Sequence, residues 1–221
     1  MRFIDLICDL DGTLIDSLPG IEFSANEAVR QCLPDRQLPS LRSLIGPPVR
    51  QIFTDIWPDL TNKELNCLIS AFRKHYDEKG CLKSEVYPAV VNTLRVLSRW
   101  GVNLYVVTNK PLQSTTTILQ HVGLIDMFRD VSTPDKGERV WTVKAEGVNQ
   151  LIEKHRLTID STMLVGDSWD DKKAAAECGL FFVPVAYGYG YAKLKELSSA
   201  GQENRVINSF EAILKFYNME R

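Results

Sequence analysis

The stretch that decides the fold is "ICDLDGTLIDS", Ile7 to Ser17. An apolar run reaches Cys8. Asp9 and Asp11 follow with only Leu10 between them, and Gly12 and Thr13 come next. Two like charges ~4 Å apart at an effective dielectric of ~20 repel by roughly 4 kcal/mol. Phe3–Cys8 reads as a buried strand, so its end carries a charge problem that something must resolve.

Three later segments have the same form. Val102–Val107 runs into Thr108 and Asn109, Thr162–Val165 into Gly166 and Asp167, and Leu180–Val185 into "AYGYG". Helical patterns alternate with them. Ala89–Trp100 is apolar at Val90, Val91, Leu94, Leu97 and Trp100, with Gly101 placed to end it. Pro111 opens a helix that Gly123 stops, Thr142–His155 reads as another, and Ser168 caps one that ends before Gly179. Strand and helix in alternation predict an α/β class: a Rossmann-like parallel sheet with helices on both faces, a three-layer core.

Residues 17–84 break the alternation. Leu65, Leu68, Ile69, Phe72 and Tyr76 form a helical stripe. Val49, Ile52, Phe53 and Ile56 form a second, and Ile21, Ala28, Val29 and Cys32 a third. No strand is legible between them. The pattern predicts an inserted all-helical domain at 17–84, with the core built from 1–16 and 85–221. The stripes read as that insert's own packing and not as a cofactor box.

The length of 221 residues suits one domain of ordinary size, or a core plus a smaller insert. A formal charge of −2 provides no field that calls for nucleic acid or an anionic membrane. No apolar run approaches the length of a membrane helix, and Asp5 and Asp9 interrupt the N-terminal stretch where a signal peptide needs apolar residues. The five cysteines are odd in number and form no CxxC pair. That argues against disulfides and zinc and for a reducing cytoplasm.

Ligands of parallel α/β sheets bind beyond the carboxyl ends of the strands. Parallel neighbours would bring the tips at Asp9–Thr13, Thr108–Asn109 and Gly166–Asp171 into one cleft. Magnesium favours carboxylate, carbonyl and water oxygens and acts with substrate phosphates. Asp9, Asp167 and the backbone near Asp11 are its candidate donors. Gly12 permits a tight turn whose neighbouring N–H groups can face an anion.

"DLDGT", "VVTNK", a later lysine and "VGDSWDD" resemble the four motifs of the haloacid dehalogenase superfamily. "LIGPPVRQIF" and "VAYGYG" are similar to its phosphoglycolate phosphatase-like branch, which carries a helical cap after the first motif. The resemblance implies a magnesium-dependent phosphatase that hydrolyses a small phosphomonoester through an aspartyl-phosphate. Asp9 is then the nucleophile and Asp11 the general acid and base. Thr108, with Asn109 and Gly12, binds the phosphoryl oxygens. Asp9, Asp11, Asp167 and Asp171 form the metal end. Lys144 matches the third motif by its spacing of 23 residues before Asp167, with Lys136 as its rival. Asp171 is placed to orient a metal-bound water or Lys144.

Cap residues Arg50 and Arg42 are candidates for a substrate carboxylate or second phosphate. Lys110 reads as solvated, Thr115–Thr117 as one exposed helix stretch, and Tyr187–Gly190 as a packing loop. The implied partner is a small phosphorylated metabolite, with no nucleic acid or membrane and with the chain a monomer or homodimer. Three other functions share parts of the pattern: a phosphomutase of the same superfamily, a receiver-like phosphoacceptor and a non-catalytic binding protein.

Overall fold

The computed structural model describes residues 3–136, 140–197 and 205–217. The ends of the predicted core segments, 1–2 and 218–221, lie outside them. In chain order the elements are β1 (Asp5–Cys8), β2 (Ile15–Asp16), α1 (Leu18–Cys32), α2 (Val49–Ile56), α3 (Asn62–His75), β3 (Glu85–Val86), α4 (Val90–Arg99), β4 (Asn103–Val107), α5 (Leu112–His121), β5 (Asp130–Ser132), α6 (Lys144–His155), β6 (Thr162–Gly166), α7 (Trp169–Glu177), β7 (Phe181–Pro184) and α8 (Tyr191–Leu197).

The strands β5-β4-β1-β6-β7 form one parallel sheet with β1 at its centre. Every residue of β1 is buried, as a strand covered on both faces requires. Alternate side chains divide between two cores. Leu6, Cys8, Val106 and Val165 face one, and Ile7, Tyr105, Val107 and Leu164 the other. Cys8 is level with both Val106 and Val165. That register places Asp9 beside the two other strand ends, and Thr108 and Asp167 follow directly after them.

The first strand begins at Asp5 and not at Phe3, and the Ile4 side chain is exposed. Three strands escaped the sequence pattern. β5 is a three-residue edge strand, and β2 and β3 have two residues each. Segments so short carry no period. β2 and β3 pair antiparallel, Ile15 with Val86 and Asp16 with Glu85, and close the two connections of the helical segment between them.

All three apolar stripes of that segment pack inward, with Ala28, Phe53, Leu68 and Tyr76 buried. α3 starts at a capping box in which Thr61 accepts from the Glu64 N–H and the Glu64 carboxylate accepts from the Thr61 N–H.

Two expectations fail here. α1 packs along α3 and brings Cys32 onto Cys67, where they form a disulfide across 35 residues. Their separation in sequence concealed the pair, and the bond removes the cysteine argument for a reducing compartment. Thr115 is fully buried, so the Thr115–Thr117 run is not one exposed stretch. No described helix is long and apolar enough to cross a membrane.

Asp130 on β5 is a charge hub. Its carboxylate accepts from Lys136 at 2.6 Å, Lys154 at 2.7 Å and His155 at 2.8 Å. Burial works to raise this carboxyl, but the hydrogen bonds from Lys136, Lys154 and His155 outweigh it and hold it well below the usual range. A carboxyl held low adds stability that is full above its unfolded value of ~4 and lost as pH falls through the folded one. Asp130→Asn is expected to cost about 1–2 kcal/mol near pH 7, a range reduced because Lys154 is largely exposed. Urea titrations should show the gap closing below pH ~4; a gap that stays constant down to pH ~2 would contradict this account.

Candidate active site

The strand ends meet as predicted. Asp9 leaves β1, its N–H donating to the Val165 carbonyl at 2.9 Å. One of its oxygens, Oδ1, accepts from Lys144 Nζ at 2.5 Å, while Oδ2 is buried with no hydrogen-bond partner. Lys144 opens α6, and the Glu146 carboxylate steadies that helix start by accepting from the Thr142 N–H. The same Nζ donates to Asp171 Oδ1 at 2.5 Å.

Asp171 sits in the first turn of α7. Its Oδ2 accepts from the Ser168 hydroxyl and N–H, while Ser168 Oγ accepts from the Asp171 N–H. That cap fixes the carboxylate that holds the lysine. Asp167 Oδ2 accepts from the Gly190 N–H at 2.8 Å.

Asp9, Asp167 and Asp171 are buried, with one ligand atom of each within 4.8 Å of the others. Lys144 is the cation tied into this cluster. Burial, first, pushes the Asp9 carboxyl up; Lys144 opposes, and Asp171 and Asp167 add to the rise. Burial and then Asp171 push Asp167 up to about 7. For Lys144, burial works against the ammonium, and the two carboxylates outweigh it and raise its pKa. An oxygen-only donor set, an excess of carboxylates over cations and an orphaned Asp9 oxygen fit a hard divalent cation.

Four assignments change. Asp11's carboxylate stands apart from the acidic cluster: its Oδ1 lies 3.2 Å from the ammonium of Lys110. Lys110 is not solvated. It is buried, and it also donates to the Tyr76 hydroxyl at 2.8 Å. The Gly12 N–H donates to the Ile15 carbonyl and is committed inside its turn, so it offers nothing to an anion. Gly12 has φ +83°, and a Cβ there would lie 2.4 Å from Asp167 Oδ2; its use is to let the first and fourth motifs touch. Finally, Arg50 is exposed on α2, bonded to Asn66 at 2.9 Å, and outside the cavity above Asp9.

The remaining candidates separate clearly. Thr108 is buried at the cavity wall, its hydroxyl accepting from the Lys110 N–H. Asn109 donates to the Gly46 carbonyl of the helical segment at 3.1 Å. Lys136 is tied to Asp130, which leaves Lys144 as the site lysine. Arg42 lies 5.7 Å from the Tyr189 ring centre.

Sequence reading missed the burial of Lys110 and its contact with Tyr76, while the loop Tyr187–Gly190 packs as expected. Gly188 is pressed so close to Asp167 that a Cβ would fall 2.2 Å from that residue's Cβ. Tyr187 donates to the Thr13 carbonyl at 2.8 Å, and Tyr189 bonds Asp16 and the Leu18 N–H beside β2. The loop therefore buttresses both Asp167 and the entry to the helical segment. For Lys110 the available signal was its place two residues beyond Thr108.

The same cavity, of about 590 Å³, is also walled by Ile21, Ile52, Phe72 and Tyr76 from the helical segment. These stripe residues therefore pack that segment and also face the site.

A family model, haloacid dehalogenase-like hydrolase, matches residues 6–185. The chain belongs to that family. The match sets aside the receiver-like alternative. Among curated haloacid dehalogenase-like relatives, a phosphoglycolate phosphatase of Vibrio vulnificus (strain YJ016) is 32% identical over 219 residues, covering 93% of this chain and 92% of that protein. One of Vibrio cholerae serotype O1 is 32% identical over 204 residues, covering 87% and 89%. The crystal structure of a predicted phosphoglycolate phosphatase from Haemophilus somnus 129pt superimposes with a TM-score of 0.84 at 29% identity, covering 97% of this chain and 98% of that one. This haloacid dehalogenase-like hydrolase is a phosphatase.

Proposed function

We propose that this phosphatase hydrolyses a small phosphomonoester, with magnesium, through a phosphoryl group carried on Asp9. The observation that supports it most is the Asp9 carboxylate: one oxygen held by Lys144, the other buried and unpartnered, on a residue that lines the cavity. One Asp9 carboxylate oxygen attacks phosphorus and the ester P–O bond breaks, with Asp11 giving its proton to the leaving alkoxide. Asp11 then takes a proton from water. That water oxygen attacks phosphorus, the bond to Asp9 breaks, and inorganic phosphate leaves. Thr108 and Lys144 hold the phosphoryl oxygens.

Asp9 and Asp167 are the residues to hold magnesium. Asp171 has both oxygens engaged by Lys144 and Ser168 and so acts as the orienter of that lysine. Bound magnesium supplies positive charge that offsets the carboxylates and the phosphoryl group. Residues 17–84 serve as a cap over a core of 1–16 and 85–221, and the cap wall chooses the alcohol. The partner is a small phosphorylated metabolite, and phosphoglycolate, the substrate named for the relatives, is the first to test.

A panel of phosphomonoesters assayed for inorganic phosphate should give release with magnesium and loss of release with a chelator. No release from any ester in magnesium would sink the reading.

A further inference from the structure

The room above Asp9 is much larger than a two-carbon acid needs. At about 590 Å³ it falls among the cavities of several hundred Å³ that take drug-sized ligands. Its inner wall on the helical segment is apolar: Ile21, Ile45, Val49, Ile52 and Phe72. Phe72 stacks on Tyr76 with ring centres 5.4 Å apart and planes 9° from parallel, which gives that wall a flat aromatic stretch.

Apart from Arg73 at the mouth, the charges that could receive a second anion are elsewhere or already engaged. Lys144 is held between Asp9 and Asp171. Lys110 lies between Asp11 and the Tyr76 hydroxyl. Arg50 and Arg42 are bonded to Asn66 and laid over Tyr189. Arg73 stands exposed at the mouth, one turn from the opposite charge of Asp77. A carboxylate on the alcohol would thus have to leave water for a wall that offers it little, whereas an alkyl or ring body would gain by burial there.

We infer that the favoured substrate is a monophosphate ester of an alcohol with an apolar body, from several carbons up to one ring in size, and no second anionic group. The inference rests on the phosphatase reading above: the phosphate sits at Asp9, and the ester oxygen points the alcohol at Ile52 and Phe72. Val49, half-buried at the start of α2, is the accessible residue on that wall.

The test is a ladder of straight-chain alkyl phosphates from ethyl to hexyl, with phosphoglycolate beside it, assayed in magnesium. The leaving alcohols of the ladder are nearly equal in basicity, so a trend in kcat/KM reports binding of the alkyl group. The expected result is a rise of about two- to fourfold per methylene, the upper value being ~0.8 kcal/mol per buried CH₂ expressed as a rate ratio. The hexyl ester should exceed phosphoglycolate. Val49→Asp should lower kcat/KM for the hexyl ester about tenfold more than for the ethyl ester, at ~1.4 kcal/mol per decade. A flat or falling ladder, or phosphoglycolate above the hexyl ester, overturns the inference and leaves the phosphatase reading intact. Absence of release from every ester overturns both.

Discussion

Asp9→Asn is expected to abolish turnover while leaving the fold intact. The amide matches the carboxylate in shape, and its oxygen can keep the contact with Lys144 Nζ, 2.5 Å from the native Oδ1. It removes one negative charge from a buried cluster that also contains Asp167 and Asp171, so the burial and then the crowding that raise the Asp9 carboxyl no longer act. Thermal stability should be equal or higher. The amide cannot act as the oxygen nucleophile at phosphorus, so phosphate release should fall by at least about 10³-fold. The checks are steady-state phosphate release, a melting curve, and mass spectrometry of protein quenched during turnover. A phosphoryl adduct should appear on the native chain and not on the variant. Activity within about tenfold of the native chain would refute the nucleophile assignment.

Lys144→Met should damage both stability and rate. The side chain keeps its length and loses its charge, so Asp9 and Asp171 face each other in a buried site without their ammonium. Removing one partner of a buried charge cluster costs about 3–5 kcal/mol. The sign with pH follows from both sets of groups. In the native protein the Lys144 pKa is raised, so its contribution is full below the unfolded value of ~10.4 and lost only as pH rises through the folded one. In the variant the uncompensated carboxyls bind protons more readily when folded, so acid stabilises it relative to the native chain. Urea titrations should therefore show a full gap near pH 8 and a narrower one near pH 5. Phosphate release should fall by about 10²-fold or more through loss of a charge aimed at the phosphoryl oxygens. A gap below about 1 kcal/mol at pH 8 would mean that Lys144 is not the neutralising group.

The site was readable wherever its chemistry lay next to the apolar run that carried it. Asp9, Thr108 and Asp167 each follow a strand directly, and such tips converge once the three strands are parallel neighbours, as they are. Asp171 and Lys144 came from the resemblance to the family's fourth and third motifs, and the structure places each in the first turn of a helix. Lys110 was not readable, although it lies close to Thr108: a lysine is usually solvated, and only the approach of Tyr76 from α3's end, 34 residues earlier, explains its burial. Arg50 failed in the opposite sense, since its placement on an apolar-striped helix says nothing of which way the polar face points.

Sequence by itself determined the order of the four longer strands and of the helices between them, the helical segment between the first two of those strands, and the carboxylates at the strand ends, because period and adjacency are local properties of the chain. Tertiary structure decided the partners. It placed Lys110 with Asp11, Cys32 with Cys67, and Gly188 against Asp167. Each of these depends on two distant segments being packed to within a few ångströms. Burial then makes the pairing obligatory, because a charge or amide removed from water must find its partner on whichever segment the packing brings.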